Sequence, residues 1–146
     1  MTTSFAVLPD SQFGDARAFY AAVGYCGGIA DDCAVFVARS GGAIIGAVRL
    51  APEQGVIVLR GMMIAGPHQR RGIGARLLRF IEPAMSGTDV YCLPHDWLEG
   101  FYGRAGFVKI DPSDAPSHLQ QRLLENQRTH PDLIVMARYH ARTKSP

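Results

Sequence analysis

A chain of 146 residues is long enough for one domain with a hydrophobic core and too short for two. Its 47% hydrophobic and 19% charged residues exclude a disordered or low-complexity chain, and no apolar run approaches the roughly 20 residues that span a bilayer. Net charge is +2, from 15 Lys+Arg against 13 Asp+Glu, which excludes a polybasic nucleic-acid binder.

The first residues, Met1 to Asp10, lack the basic start and long apolar core of a secretory signal. Cys26, Cys33 and Cys92 are odd in number and widely spaced, unlike a disulfide framework. Both features predict a reducing, cytoplasmic setting.

In chain order, Phe13, Ala16, Phe19, Tyr20 and Val23 fall at helical spacing, so a helix is predicted over residues 10–23, capped by Asp10 or Ser11 and ended by Gly24. Three strands are predicted at 34–39, 43–50 and 56–64, the first two joined by the Ser40-Gly41-Gly42 turn. From Ile73 to Met85 the period changes, with Leu77, Leu78 and Ile81 on one helical face. A strand at 89–93, a short helix at 96–104 and a strand at 107–110 follow, and the β-α-β order implies a right-handed crossover. Residues 111–116 read as a capping turn, Leu119, Leu123 and Leu124 mark a helix up to about residue 129, and 132–139 reads as a closing strand. Phe19-Tyr20-Ala21-Ala22-Val23-Gly24-Tyr25 is echoed by Phe101-Tyr102-Gly103-Arg104-Ala105-Gly106-Phe107. The echo reads as two helices ending alike, with Tyr20 assigned to packing.

Charge is unevenly spread. No acidic residue occurs from Gln54 to Ile81, which holds Arg60, Arg70, Arg71, Arg76 and Arg79. Within it, Gln69-Arg70-Arg71-Gly72-Ile73-Gly74-Ala75 lies between a strand and a helix. Glycines there admit close backbone approach, and the open N–H groups of a helix start favour phosphate. A dinucleotide fingerprint is excluded because Leu77 takes the third glycine position, and the Gly-Lys-Ser/Thr of a P-loop is absent.

This segment resembles the Gln/Arg-x-x-Gly-x-Gly/Ala motif of the GNAT N-acetyltransferase superfamily, which Gln69, Gly72 and Gly74 match. Phe101 to Phe107 resembles the family's Tyr-x-x-x-Gly-Phe, in the right order and with a strand between the two motifs. The resemblance implies a single α/β (α+β) domain over residues 1–146, with a central mixed, mostly antiparallel sheet, splayed fourth and fifth strands and flanking helices. It further implies acetyl-CoA as cosubstrate, its pantetheine arm bonded to the strand edge at Met62, Met63 and Ile64. The pyrophosphate would rest on the N–H groups of Arg70, Arg71, Gly72, Ile73, Gly74 and Ala75, behind Gln69, with Arg70, Arg71 and Arg104 near the adenosine phosphates.

Tyr102 matches the family's tyrosine that protonates the departing CoA thiolate, as direct attack by an amine requires. His95 stands where many relatives carry Asn, and could bond the pantetheine or help remove the ammonium proton, since imidazole ordinarily titrates near neutral pH, at about 6.5. Val58 occupies the place of a Glu that often serves relatives as base, leaving His95, Glu53 or ordered water. Gly66-Pro67 shifts the usual loop proline by one place.

Arg49 and Arg60 would favour an acceptor carboxylate if both faced the acceptor cleft, whereas Asp31 and Asp32 would draw a cationic amine. Cys92-Leu93-Pro94-His95 has one half of a zinc spacing and no second pair, so no metal is expected. The expected function is transfer of acetyl from acetyl-CoA to the amine of a small-molecule or amino-acid-like acceptor. The alternative is a non-catalytic acetyl-CoA sensor or interaction module. No nucleic-acid or membrane partner is expected, and the family leaves a homodimer open. Acceptor choice would lie with residues 25–32 and 111–131.

Overall fold

Alternating and β-branched apolar runs in the first half build strands, and two amphipathic segments build the helices that cover them. The computed structural model describes residues 2–25, 27–30 and 32–140. Cys26 and Asp31, which entered the cysteine count and the acceptor expectation, lie outside the described residues. The chain divides into two compact units, Met1–Ala84 and Met85–Pro146.

The first unit is an antiparallel meander of β1 (Thr3–Leu8), β2 (Ala34–Ser40), β3 (Ala43–Glu53) and β4 (Val56–Ile64). Strand β1 is absent from the sequence-based expectation, yet all six of its residues pair with β2, from Thr3 opposite Ser40 to Leu8 opposite Val35. Only Leu8 of β1 is fully buried, so the run carries little of the apolar alternation that marks a strand. Helix α1 (Phe13–Ala22) follows a short 3-10 turn and buries Phe13, Ala16, Phe19 and Tyr20. These residues share a core with Val35, Val37, Ala47 and Ala51. Helix α2 (Ile73–Ile81) joins Ala38 and Ile45 through Ile73, and its Phe80 meets Phe36 at 6.3 Å between ring centroids. Since Val35 and Val37 alternate with Phe36 and Ala38, α1 and α2 cover opposite faces of β2. The predicted helix to Met85 is α-helical only to Ile81, beyond which a 3-10 turn runs over Glu82–Met85 with Pro83 inside it.

The second unit contains β5 (Val90–Cys92), α3 (Glu99–Gly103), β6 (Val108–Lys109), α4 (Ser117–Gln127) and β7 (Met136–Arg138). Strand β7 lies between β5 and β6 and is antiparallel to both. The predicted helix over 96–104 is split into a 3-10 turn at Asp96–Leu98 and α3. Asp111 accepts a hydrogen bond from the Ser113 N–H at 2.9 Å, which caps the turn before α4 as expected. The closing strand is shorter than expected because Leu133 forms only an isolated bridge with His95.

The sequence echo corresponds to one repeated helix ending. After α1, Gly24 N–H donates to Ala21 O at 3.2 Å and Tyr25 N–H to Tyr20 O at 2.9 Å. After α3, Gly106 N–H donates to Gly103 O at 3.1 Å and Phe107 N–H to Tyr102 O at 3.2 Å. Gly24 and Gly106 have φ of 79° and 91°, the left-handed conformation this cap requires.

Candidate active site

The turn between β4 and α2 is shaped by two left-handed residues, Arg70 (φ 63°) and Gly72 (φ 77°). Arg70 lacks glycine's freedom, so its conformation carries strain of about 1 kcal/mol or more. The first bond of the α2 ladder runs from Arg76 N–H to Gly72 O at 3.1 Å, so the N–H groups of Ile73, Gly74 and Ala75 precede the ladder. With no acid in the surrounding sequence, these donors and the positive end of the helix form a cradle for phosphate oxygens. Beside it a cleft of about 430 Å³ is lined by Thr3, Ser40, His68, Arg71, Ile73 and Arg76. Arg76 also stands over the Phe5 ring, 5.0 Å from its centroid.

Gln69 ties the turn to the end of β4 through its Nε2, which donates to Ile64 O at 2.9 Å. Met62, Met63 and Ile64 are half-buried at that end, with Met63 opposite Ala47 and Ile64 opposite Gly46. One residue of β3, Val48, is matched there by two of β4, Gly61 and Met62, which marks a β-bulge.

In the second unit Tyr102 is 5% exposed, packed edge-on against Phe101 at 4.9 Å and Phe107 at 5.7 Å between ring centroids. Burial, reinforced by the neighbouring Cys92, raises its phenol well above the ordinary tyrosine range. Arg104, exposed, caps the same helix.

His95 Nδ1 lies 2.6 Å from Asp132 Oδ2. Its ring stacks on Trp97, 4.4 Å between centroids and 4° from parallel, and meets His130 edge-on at 5.5 Å. Asp132, Trp97 and His130 were not expected from sequence; Asp132 is 37 positions from His95, and no spacing rule links them.

Arg49 is 1% exposed. Its Nη1 donates to Gly28 O, its Nη2 to Tyr25 Oη at 2.8 Å, and its guanidinium lies 5.7 Å and 5.6 Å from the Tyr20 and Tyr25 ring centroids. Burial works against its charge, but Tyr25 and Tyr20 outweigh that and hold it charged above its ordinary range. A carboxylate reaching either terminal nitrogen would have to displace a protein acceptor. Arg60, opposite Arg49 in the β3–β4 register, pairs with Glu53 at 3.4 Å. Among the described residues, no cluster of three or more His, Cys, Asp and Glu could hold a metal ion, and no helix is long and apolar enough to cross a membrane.

The profile of the acetyltransferase (GNAT) domain matches residues 31–109, more than half of the chain. The chain therefore belongs to the GNAT acetyltransferase family, a family of acyltransferases. Its α/β fold is that of solved GNAT structures. Escherichia coli ElaA matches with a TM-score of 0.69 at 14% identity, over 94% of this chain and 99% of that one. N-acetylglutamate synthase from Neisseria gonorrhoeae, complexed with coenzyme A and N-acetyl-glutamate, matches with a TM-score of 0.67 at 14% identity, over 97% of this chain and 36% of the synthase. Arabidopsis thaliana Naa50, in complex with the bisubstrate analogue CoA-Ac-MVNAL, matches with a TM-score of 0.63 at 15% identity, over 94% and 98% of the two chains. No curated protein sequence matches significantly.

Proposed function

We propose that residues 1–146 act as one N-acetyltransferase domain that moves the acetyl group of acetyl-CoA to the amine of a small, amino-acid-like acceptor. The observation that carries this reading is the Arg70–Ala75 turn, whose open helix-start N–H groups suit the pyrophosphate of coenzyme A. Met62, Met63 and Ile64 hold the pantetheine arm, Gln69 braces the turn, and Arg70, Arg71 and Arg104 serve the adenosine phosphates. The amine attacks the thioester carbonyl carbon, forming the C–N bond. The resulting oxyanion collapses and breaks the C–S bond, and Tyr102 gives its proton to the departing thiolate. His95 is the candidate for removing the ammonium proton.

The named ligands of the Neisseria synthase and of Naa50 support coenzyme A and an amine acceptor, small in one case and a peptide in the other. The odd cysteine count favours the cytoplasm, and the balanced net charge favours neither nucleic acid nor membrane as a partner. Incubation with acetyl-CoA and a panel of amino acids and small amines, followed by free-thiol release, tests the reading. Coenzyme A binding without thiol release on any acceptor would favour the alternative of a cofactor sensor, an option raised by the buried Val58 at the family's usual acid position.

A further inference from the structure

We propose that Asp132 is a positioning residue for His95, orienting its ring so that Nε2 takes the proton from the acceptor's ammonium group. The proposal rests on the acetyltransferase reading and supplies the base that Val58 cannot.

An ionised carboxylate only accepts hydrogen bonds, so a 2.6 Å contact from Asp132 Oδ2 to His95 Nδ1 requires the hydrogen on Nδ1. In the neutral ring, Nε2 then bears the lone pair. Among the described residues no hydrogen bond occupies Nε2, and the side chain is 35% exposed, which leaves the nitrogen accessible. Asp132 is itself held below the ordinary carboxylate range, chiefly by the hydrogen bond from His95.

The pair is fixed by backbone as well as by side chains. Asp96 N–H donates to Asp132 O at 3.1 Å, Ile134 N–H donates to Pro94 O at 2.9 Å, and His95 bridges Leu133. The chain on either side of both residues is therefore stapled together, and little freedom remains to be lost during reaction. Trp97 supplies a flat face against the imidazole, with the rings stacked 4.4 Å apart between centroids. When Nε2 takes a proton, the imidazolium gains an ion pair with Asp132 and the negative face of the indole. The titratable groups around the ring are Asp132 and His130 from the segment between α4 and β7, with Asp96 next in sequence.

The step balances without a further reactant. The ammonium N–H bond breaks and Nε2–H forms; the freed amine pair makes the C–N bond and pushes the carbonyl pair onto oxygen. That pair returns as the C–S pair leaves on sulfur and takes the Tyr102 proton, while the second proton of the attacking nitrogen passes through solvent to Tyr102. His95 then releases its proton to solvent.

The test uses the full chain with acetyl-CoA and an amine that wild type acetylates. D132N should lower kcat by about tenfold or more while leaving KM for acetyl-CoA and Kd for coenzyme A unchanged. H95Q should lose at least as much, and D132N/H95Q should be no worse than H95Q, because the two residues act as one unit. Nitrogen NMR of histidine-labelled wild type should show the His95 hydrogen on Nδ1, and D132N should lose that preference. Wild-type turnover by D132N, or losses that multiply in the double variant, would overturn the proposal and leave the acetyltransferase reading standing. A hydrogen on Nε2 in neutral wild type overturns it too, even if D132N fails to fold. No thiol release by wild type on any amine overturns the acetyltransferase reading and the pair's role together.

Discussion

The Tyr20 hydroxyl donates to Gly61 O at 2.8 Å, joining α1 to the bulged part of β4 across 41 residues. Gly61 has φ of 66°, and a Cβ built there would lie 2.8 Å from Tyr20 Oη and 3.2 Å from Arg49 Nε. G61A therefore combines a left-handed non-glycine residue with displacement of a part-buried hydrogen bond. A stability loss of about 2–4 kcal/mol is expected. Urea unfolding at neutral pH measures it; a midpoint equal to that of wild type would contradict the geometry.

R49M removes a buried guanidinium whose part-buried hydrogen bonds serve Gly28 O and Tyr25 Oη and whose plane rests on the Tyr20 and Tyr25 rings. A loss of about 2–4 kcal/mol is expected. R49K should not restore it, because one ammonium cannot reproduce the guanidinium fork. Amide exchange should quicken in residues 27–30 before the rest of the first unit. Uniform quickening would mean that Arg49 acts on the whole core instead of on this segment.

Y102F keeps the ring that packs on Phe101 and Phe107 and removes only the proton donor. Coenzyme A affinity and thermal stability should stay close to wild type while kcat falls by about a hundredfold. Isothermal titration with coenzyme A and steady-state kinetics separate the two effects.

Tyr20, Tyr102 and Cys92 are all raised above their ordinary ranges by burial. Groups so raised stabilise the fold fully below their unfolded values, and this contribution is lost as pH climbs toward the folded ones. Stability should thus fall steeply above about pH 9 to 10, where exposed thiols and phenols ionise. Denaturation midpoints measured from pH 7 to 11 give the curve; a flat profile across that range would count against burial of these groups.

Asp132 has the opposite sign. Its depressed folded value stabilises the protein above the unfolded carboxylate value of about 4, and the effect is lost as pH falls through the folded value. H95Q removes the main cause, so the stability gap between wild type and H95Q should shrink as pH drops below about 4. A gap that widens there would contradict the pairing.

Elements with strong period were legible in the sequence: β4 lies at Val56–Ile64 as expected, and α2 begins at Ile73 behind its glycine turn. Strand β1 was not, because its register is set by β2 and its outer residues stay wet. The candidate site divides in the same way. Gln69, Gly72 and Tyr102 lie inside short motifs whose spacing reflects one turn or one helix end. Asp132 and the Arg49 partners Tyr25 and Gly28 are gathered by tertiary folding, and an arginine within the otherwise apolar run 43–50 is the one sequence feature that bears on the latter.

The shared ending of α1 and α3 makes the protein carry its own control experiment. Tyr20 and Tyr102 occupy the same position relative to the same glycine stop, yet one hydroxyl latches a strand while the other ring packs edge-on against Phe101 and Phe107. Deleting the same oxygen at the two sites should give two separable phenotypes, a softer fold from Y20F and a slower enzyme from Y102F.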